Sequence, residues 1–420
     1  MSRPLSIPGL LCVLPMLAPA NGAAQAYETL AQARAVATPS MADPGYLQQM
    51  TDAAFGTPFT RVTDPGHEIL PGTSCKQAYC THHYSSSQAW NADQSLLVIS
   101  NGCSGLCFLD GVSFVPLFHR TIPNECEWHP LDPALMICVA DNKIYTWNPR
   151  RDIRPAIHTF PEYTNLQFGP YKGNPSRDGT RLVVRATNSR GELVAFAYDL
   201  SAQRKYPDIN LANLAGHNGY CTISPSGRYV FCANTTFDGT ETASVFTTDG
   251  VALQHWSEHH RPGHGDMTID ADGNDVYVGI SKASPDKYHI IKRRLDNGAV
   301  TDLTPYGNGQ HVSARNINRA GWVFITYSGT YSDAVHFSGG APFYQEIIAL
   351  RIDGSGELRR LIQTRNAKGD YWSETHASPS PDGSQIIWSS NWGQAGGPVS
   401  DFVARLSWPE STTVGSSPQR

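Results

Sequence analysis

The chain has 420 residues, of which 40% are hydrophobic and only 16% charged, with a formal net charge of −5 at pH 7. That length exceeds one ordinary domain but suits a closed all-β unit with a sizeable core, and an acidic balance without any basic block leaves no electrostatic footprint for nucleic acid. The 37 Gly and 29 Pro point to many turns and few long helices.

Residues 1–26 read MSRPLSIPGLLCVLPMLAPANGAAQA, with one Arg, a short apolar stretch and a final Ala24-Gln25-Ala26. This pattern is that of a secretory signal peptide cut before Tyr27. Pro8, Pro15 and Pro19 and the short apolar length argue against a membrane span. The mature protein is therefore expected to be secreted or periplasmic, with no membrane partner. Eight cysteines follow Cys12, in the close pairs Cys75/Cys80, Cys103/Cys107, Cys126/Cys138 and Cys221/Cys232. An exported chain meets an oxidising compartment, so four local disulfides are expected. Zinc ligation by Cys103-x-x-x-Cys107 is the alternative, but no second pair stands at finger spacing. Residues 27–58 read as an N-terminal extension, helical or irregular up to 55, packed outside the main unit.

From residue 59 to 409 one form recurs: a polar or His-containing lead, a short strand, a turn often carrying Asp-Gly, then a strongly apolar strand. The seven copies are HYSSSQAWNADQSLLVIS, CEWHPLDPALMICVA, YKGNPSRDGTRLVVRA, HNGYCTISPSGRYVFCA, HGDMTIDADGNDVYVGI, HVSARNINRAGWVFITY and HASPSPDGSQIIWSS. Anchored on Asp93, Asp132, Asp178, Ser226, Asp272, Arg319 and Asp382, they are spaced by 39, 46, 48, 46, 47 and 63 residues. An insertion around Tyr331–Tyr344 stretches the last interval. A third strand follows each apolar one (Val194–Leu200, Ser244–Thr248, His289–Leu295, Ile347–Ile352), and a weaker fourth comes after it (Val300–Thr304, Leu358–Thr364). Four strands in each of seven repeats describe an all-β, seven-bladed β-propeller. The seventh repeat stops after Phe402–Trp408 without its fourth strand, and the polar tail 410–420 follows. Phe59-Thr60-Arg61-Val62-Thr63-Asp64 resembles Val300-Thr301-Asp302-Leu303-Thr304 and is expected to complete that blade, removing an open sheet edge.

In a propeller the first strand of every blade lines the central channel, and its start opens on the same face as the end of the second strand. The leads therefore converge on one mouth: His82, His83, Trp128, His129, Tyr171, His217, His264, His311 and His376, with Tyr84 and Gln88 beside His83. Second-strand ends add Arg185 and Tyr327. An Arg on the run Leu182-Val183-Val184-Arg185 is costly unless it meets an anion, either a carboxylate of the next blade or a substrate carboxylate gripped by both prongs of the guanidinium. For any one of His217, His264, His311 and His376 a hydrogen bond to a neighbouring blade is the competing role. Trp90, Trp128, Trp372 and Trp392 offer stacking surfaces for sugar rings, or core packing. His264, His311 and His376, with Asp266 close by, form a candidate site for a divalent cation. No G-x-S-x-G elbow, H-E-x-x-H or phosphate-cradling loop is present.

FGTPFTRVTD, HHYSSSQAWNAD and HASPSPDGSQIIWSSNWG resemble the seven-bladed propeller polysaccharide lyases, a group that includes ulvan, oligogalacturonate and rhamnose–glucuronate lyases, over nearly the whole mature chain. HHYSSSQAWNAD, ECEWHP and FGPYKGNPSRDG look closest to the rhamnose–glucuronate lyases that act on gum arabic. The resemblance implies β-elimination at a uronic acid, with a His as base and acid, an Arg on the carboxylate and a Tyr. By motif position these are His83, Arg185, and Tyr171 or Tyr327, with His82, Tyr84, Trp128, His217, His264 and Tyr327 as substrate contacts. Ulvan lyases carry a second His at the end of the first blade's second strand, where this chain has Ser100-Asn101-Gly102. Gln310, His311 and His376 loosely resemble the metal-holding set of oligogalacturonate lyases, and a calcium or manganese ion is the candidate cofactor. The partner implied is a uronate-containing polysaccharide, met by a monomer. Ulvan or oligogalacturonate lysis, and a propeller that binds a glycan or protein without catalysis, are the alternative readings.

Overall fold

The computed structural model describes residues 27–121, 125–168, 173–211, 217–235, 241–305, 309–327, 342–367, 369 and 371–408. The signal segment, Tyr171, the insertion from 328 to 341 and the tail lie outside them.

Seven blade sheets follow one another along the chain, antiparallel except where Tyr79–Cys80 pairs parallel with blade seven, and Glu68–Leu70 with Thr73–Ser74 forms a separate two-stranded sheet. Blade two is typical: Glu125–Trp128, Met136–Ala140, Lys143–Trp147 and Ala156–Thr159 pair in that order. Blades four, five and six repeat the pattern from His217–Ile223, Pro262–Ile269 and Gly309–Ser313 outwards. Ring closure shows in the packing. Each of seven hydrophobic clusters joins two neighbouring blades, and one of them unites Ile387 and Val403 of blade seven with Leu97 and Ile99 of blade one. Blades buried on both faces explain the continuous apolar runs: Leu182 and Val184 face blade two, whereas Val183 faces blade four.

The recurring turn has one physical cause. The carboxylates of Asp93, Asp132, Asp178 and Asp382 each accept the backbone N–H two residues on, at 2.8–3.0 Å. In blade five this acceptor is Asp270, two positions before the expected Asp272. Gly179, Gly227, Gly273 and Gly383 close the turns at φ of 71–80°, where a Cβ would be strained.

Pro58–Arg61 pairs with Val399–Arg405, Phe59 opposite Ala404, and completes blade seven. All four expected disulfides are formed, with Cys126 opposite Cys138 and Cys221 opposite Cys232 in register. The N-terminal extension, expected to be helical or irregular, is irregular apart from two short strands: Glu28–Thr29 adds an outer strand to blade six, and Gln49–Thr51 adds one to the closing strand of blade seven. One expectation is corrected. Blade one has no continuous inner strand, only bridges at Thr81–Asn101 and Trp90–Leu97, because the residues between them leave the sheet. Among the described residues no helix is long and apolar enough to cross a membrane.

Candidate active site

The segment between those two bridges crosses the channel mouth and is tied down from four blades. Asn101 Nδ2 of blade one donates to the carbonyls of His82 (2.6 Å) and His83 (3.2 Å). Asn174 of blade three reaches Ser86 O at 2.7 Å, Ser378 of blade seven reaches Ser87 O at 2.9 Å, and Gln88 donates to Arg315 O of blade six at 2.8 Å. A run of short polar side chains cannot bury itself as a strand, but it satisfies its backbone by such crossings.

The two adjacent histidines have opposite fates. His82 is fully buried. Its Nδ1 lies 3.0 Å from both Asp401 oxygens and its Nε2 2.7 Å from His376 O. Two acceptors require two N–H donors, so the ring is an imidazolium. Burial is the largest influence and works against that charge, but the Asp401 carboxylate, its hydrogen bond and the His376 carbonyl outweigh it and raise the pKa. The expectation that His82 contacts substrate is therefore corrected: it ties blade one to blade seven. His83 is half-buried. Burial, then the neighbouring His82 and His376, push its pKa down to about 4, so it is neutral across the physiological range. Its Nδ1 lies 2.8 Å from Ser87 Oγ, which in turn donates to Glu127 Oε1 at 3.3 Å.

Beside them stands a compact cluster. His264 Nδ1 and His311 Nε2 are 3.3 Å apart, His376 Nε2 is 3.2 Å from Glu374 Oε2, and His311 Nε2 is 3.6 Å from the same oxygen. The His311, Glu374 and His376 donor atoms all lie within 4.8 Å of one another. The buried Tyr84 ring leans on His311 and His376 at 5.2 and 4.7 Å. Burial lowers the His376 pKa against the pull of Glu374, leaving a neutral imidazole able to ligate. His264 and His376 sit at φ of 48° and 43°, strained for non-glycine residues and tolerated where function holds them. Two or three imidazoles with one carboxylate suit a divalent transition metal, so the set fits a cation. Glu374 was not foreseen; its signal is the Glu-x-His spacing in the lead of the seventh repeat, where the backbone turns at His376. Asp266 is corrected out of the set, since Arg315 grips it in bidentate fashion at 2.7 and 2.8 Å.

Arg185 is buried on the second strand of blade three, opposite Gln167. Its guanidinium donates to Gly219 O. Burial lowers its pKa, opposed by Glu125. Among the described residues Arg185 makes no ion pair, and its Nε has no hydrogen-bond partner. Glu125 and Glu127, two residues apart on the inner strand of blade two, lead from Arg185 to Ser87 and His83.

Other expected residues lie elsewhere. Trp128 and His129 are at the far end of their strand, because blade two enters the mouth with Glu125. Trp128 packs against Phe108 at 6.0 Å and lines the opposite part of the channel. His129 Nδ1 accepts the N–H groups of Leu131 and Asp132, capping the turn. Tyr327 is buried in the core between blades five and six, 5.1 Å from Phe343. The backbone of His217 opens blade four at the mouth; its side chain, like Tyr171, lies outside the described part. Trp90 is fully buried, and Trp392 stacks on Phe402 at 5.0 Å. Trp372, half-exposed as Trp392 also is, stacks on Tyr79 at 4.0 Å beside Tyr371, whose ring is 5.1 Å from His376.

No protein family description matches the chain, and no curated protein sequence does. Among the solved structures similar to the chain are two oligogalacturonate lyases that share its fold. An oligogalacturonate lyase in complex with manganese superposes with a TM-score of 0.58 at 16% identity, over 87% of this chain and 96% of that one. An oligogalacturonate lyase from Vibrio parahaemolyticus gives 0.57 at 12% identity, over 87% and 97%.

Proposed function

We propose that this chain is an exported polysaccharide lyase that cleaves the glycosidic bond to a uronic acid by β-elimination, in its most specific form an L-rhamnose-α-1,4-D-glucuronate lyase acting on gum arabic-type side chains. The observation that carries the reading is His83, an imidazole kept neutral by its surroundings, linked through Ser87 and Glu127 to the strand whose Glu125 acts on the buried Arg185, a guanidinium that makes no ion pair among the described residues. The lyase fold of the two structural neighbours and the four disulfides of an oxidising compartment support it.

In this reaction Arg185 pairs with the uronate carboxylate. That pairing lowers the cost of the enolate-like intermediate, since the charge developing on the carboxylate oxygens meets a preorganised cation. His83 accepts the C5 proton, the C5–H electrons form the C4–C5 double bond, and the C4–O bond breaks with its electrons on the leaving oxygen. That oxygen takes a proton from the new His83 imidazolium or from a tyrosine, Tyr171 or Tyr84. Base catalysis of this kind contributes roughly 100- to 10,000-fold. His311, Glu374 and His376, with His264, would hold the divalent cation, which supplies further positive charge near the carboxylate. Trp372 and Tyr371 provide an aromatic edge for a flanking sugar.

Lysis of oligogalacturonate is the second reading, favoured by the His/Glu cluster. Ulvan lysis is disfavoured by Asn101, which holds the His82 and His83 carbonyls in the place of a second histidine. The deciding experiment incubates the purified protein with gum arabic, ulvan and pectin fragments and follows the ultraviolet absorbance of the 4,5-unsaturated uronate. Gum arabic should respond, and His83→Ala should abolish the signal with its circular dichroism unchanged. Silence on every substrate would favour a glycan-binding propeller.

A further inference from the structure

Glu127 is buried on the inner strand of blade two and takes no direct part in the elimination. We propose that Glu127, acting through Ser87, selects which ring nitrogen of His83 carries the proton. The inference rests on His83 being the base, and it gives that base a positioning residue that no motif marks.

The argument is one of counting protons. The Ser87 hydroxyl has a single hydrogen and lies between His83 Nδ1 at 2.8 Å and Glu127 Oε1 at 3.3 Å. An ionised Glu127 only accepts, so the Ser87 hydrogen points to it, and His83 must donate Nδ1–H to the Ser87 oxygen. Nε2 is then left with a lone pair and can take a proton. If Glu127 is protonated, the chain can reverse. Glu127 donates to Ser87, Ser87 donates to Nδ1, and Nε2 carries the hydrogen. The same ring is then a donor where a base is needed.

The groups that face Glu127 decide which state holds. Burial acts first and disfavours its charge; Arg315 and the Ser87 hydroxyl favour it; Glu125 and Asp266 disfavour it; the balance sits at about 8. His83 is flanked by the His82 imidazolium and by His376 and stays neutral in either case. The base tautomer therefore prevails above the Glu127 value, and the lyase is more active on the alkaline side of neutrality.

The test reads tautomers rather than turnover. In protein carrying 15N-labelled histidine, long-range proton–nitrogen correlations distinguish Nδ1–H from Nε2–H, and the His83 signals are assigned by their loss in His83→Gln. Wild type should show Nε2–H at about pH 7 and Nδ1–H at about pH 9, where Glu127 is neutral and charged respectively, since it titrates between them. Ser87→Ala, a small change that keeps the fold, should remove that inversion, and Glu127→Gln should do the same. On a cleaved substrate Ser87→Ala should lower kcat by about 10- to 100-fold, part of what a general base supplies, with KM unchanged and the alkaline rise gone. A tautomer identical in wild type and Ser87→Ala at both pH values would overturn the relay, whatever the activity. An inverting tautomer in a protein that cleaves no uronate polymer would uphold the relay and remove the lyase reading.

Discussion

His82 and His83 are neighbours in the chain and opposites in chemistry, and burial with different partners is the whole cause. A carboxylate and a carbonyl keep the first charged, whereas two cationic or proton-bearing rings keep the second neutral. Removing one member of a buried pair strands the other, so Asp401→Asn or His82→Gln should cost about 3–5 kcal/mol, read from chemical denaturation. The pH dependence has a definite sign. Because the folded pKa of His82 is raised, its contribution is fully present below the unfolded value of about 6.5 and is lost as pH climbs through the folded one. The stability gap between wild type and His82→Gln should thus be widest in mild acid and shrink in alkali; a gap that widens with pH would contradict the imidazolium. At the His311/Glu374/His376 cluster, Glu374→Gln should weaken manganese-dependent thermal stabilisation by about tenfold or more in apparent affinity, the usual scale for a lost coordination partner. An equal shift in wild type and variant would exclude Glu374 as a ligand.

At the scale of elements, the closing strand and the recurring turns matter most. Phe59 is 1% exposed and packs on Trp388 and Phe402, so Phe59→Ala both empties a core site and loosens the strand that shuts the ring. The expected loss is about 3–5 kcal/mol, measured by denaturant titration, with blades one and seven the first to gain hydrogen exchange. An unaltered midpoint would mean the ring is held without this strand. The Asx turns were legible because an Asp two residues before a needed N–H is a local matter. Blade one's inner segment was not legible as a loop. Leu96–Ile99 reads as a strand by itself, whereas the departure of residues 82–89 from the sheet depends on Asn101, Asn174 and Ser378, which are distant in sequence. Blade two was misaligned by its four-residue inner strand, which places Glu125 rather than Trp128 at the mouth.

For the molecule as a whole, seven interblade cores make a ring in which every blade supports two others, so unfolding should be cooperative despite the length. The disulfides within blades two and four close loops of only 12 and 11 residues. Each is worth at most about 3 kcal/mol by chain entropy, so reductant should lower the melting temperature without abolishing the fold. Chelation should remove only the modest thermal stabilisation that a bound cation adds while costing most of any turnover, since the His/Glu cluster lies at the mouth and not in a core; a collapse of the fold in chelator would reassign the metal to structure.

What the sequence determined by itself was the repeat: period, turn chemistry, cysteine pairing and the strand that closes the circle. The first three are set by neighbours within some fifty residues; the closing strand, which pairs Phe59 with Ala404, was legible because it repeats the form of another blade's last strand and the final repeat lacks one. That histidines would gather at one opening followed from the repeat alone. Which of them is charged, which neutral and which stands beside a carboxylate was decided only when Asp401, Glu127 and Glu374 arrived from other parts of the chain. A pKa and a tautomer depend on burial and on atoms about 3 Å away, and no spacing along a chain encodes those.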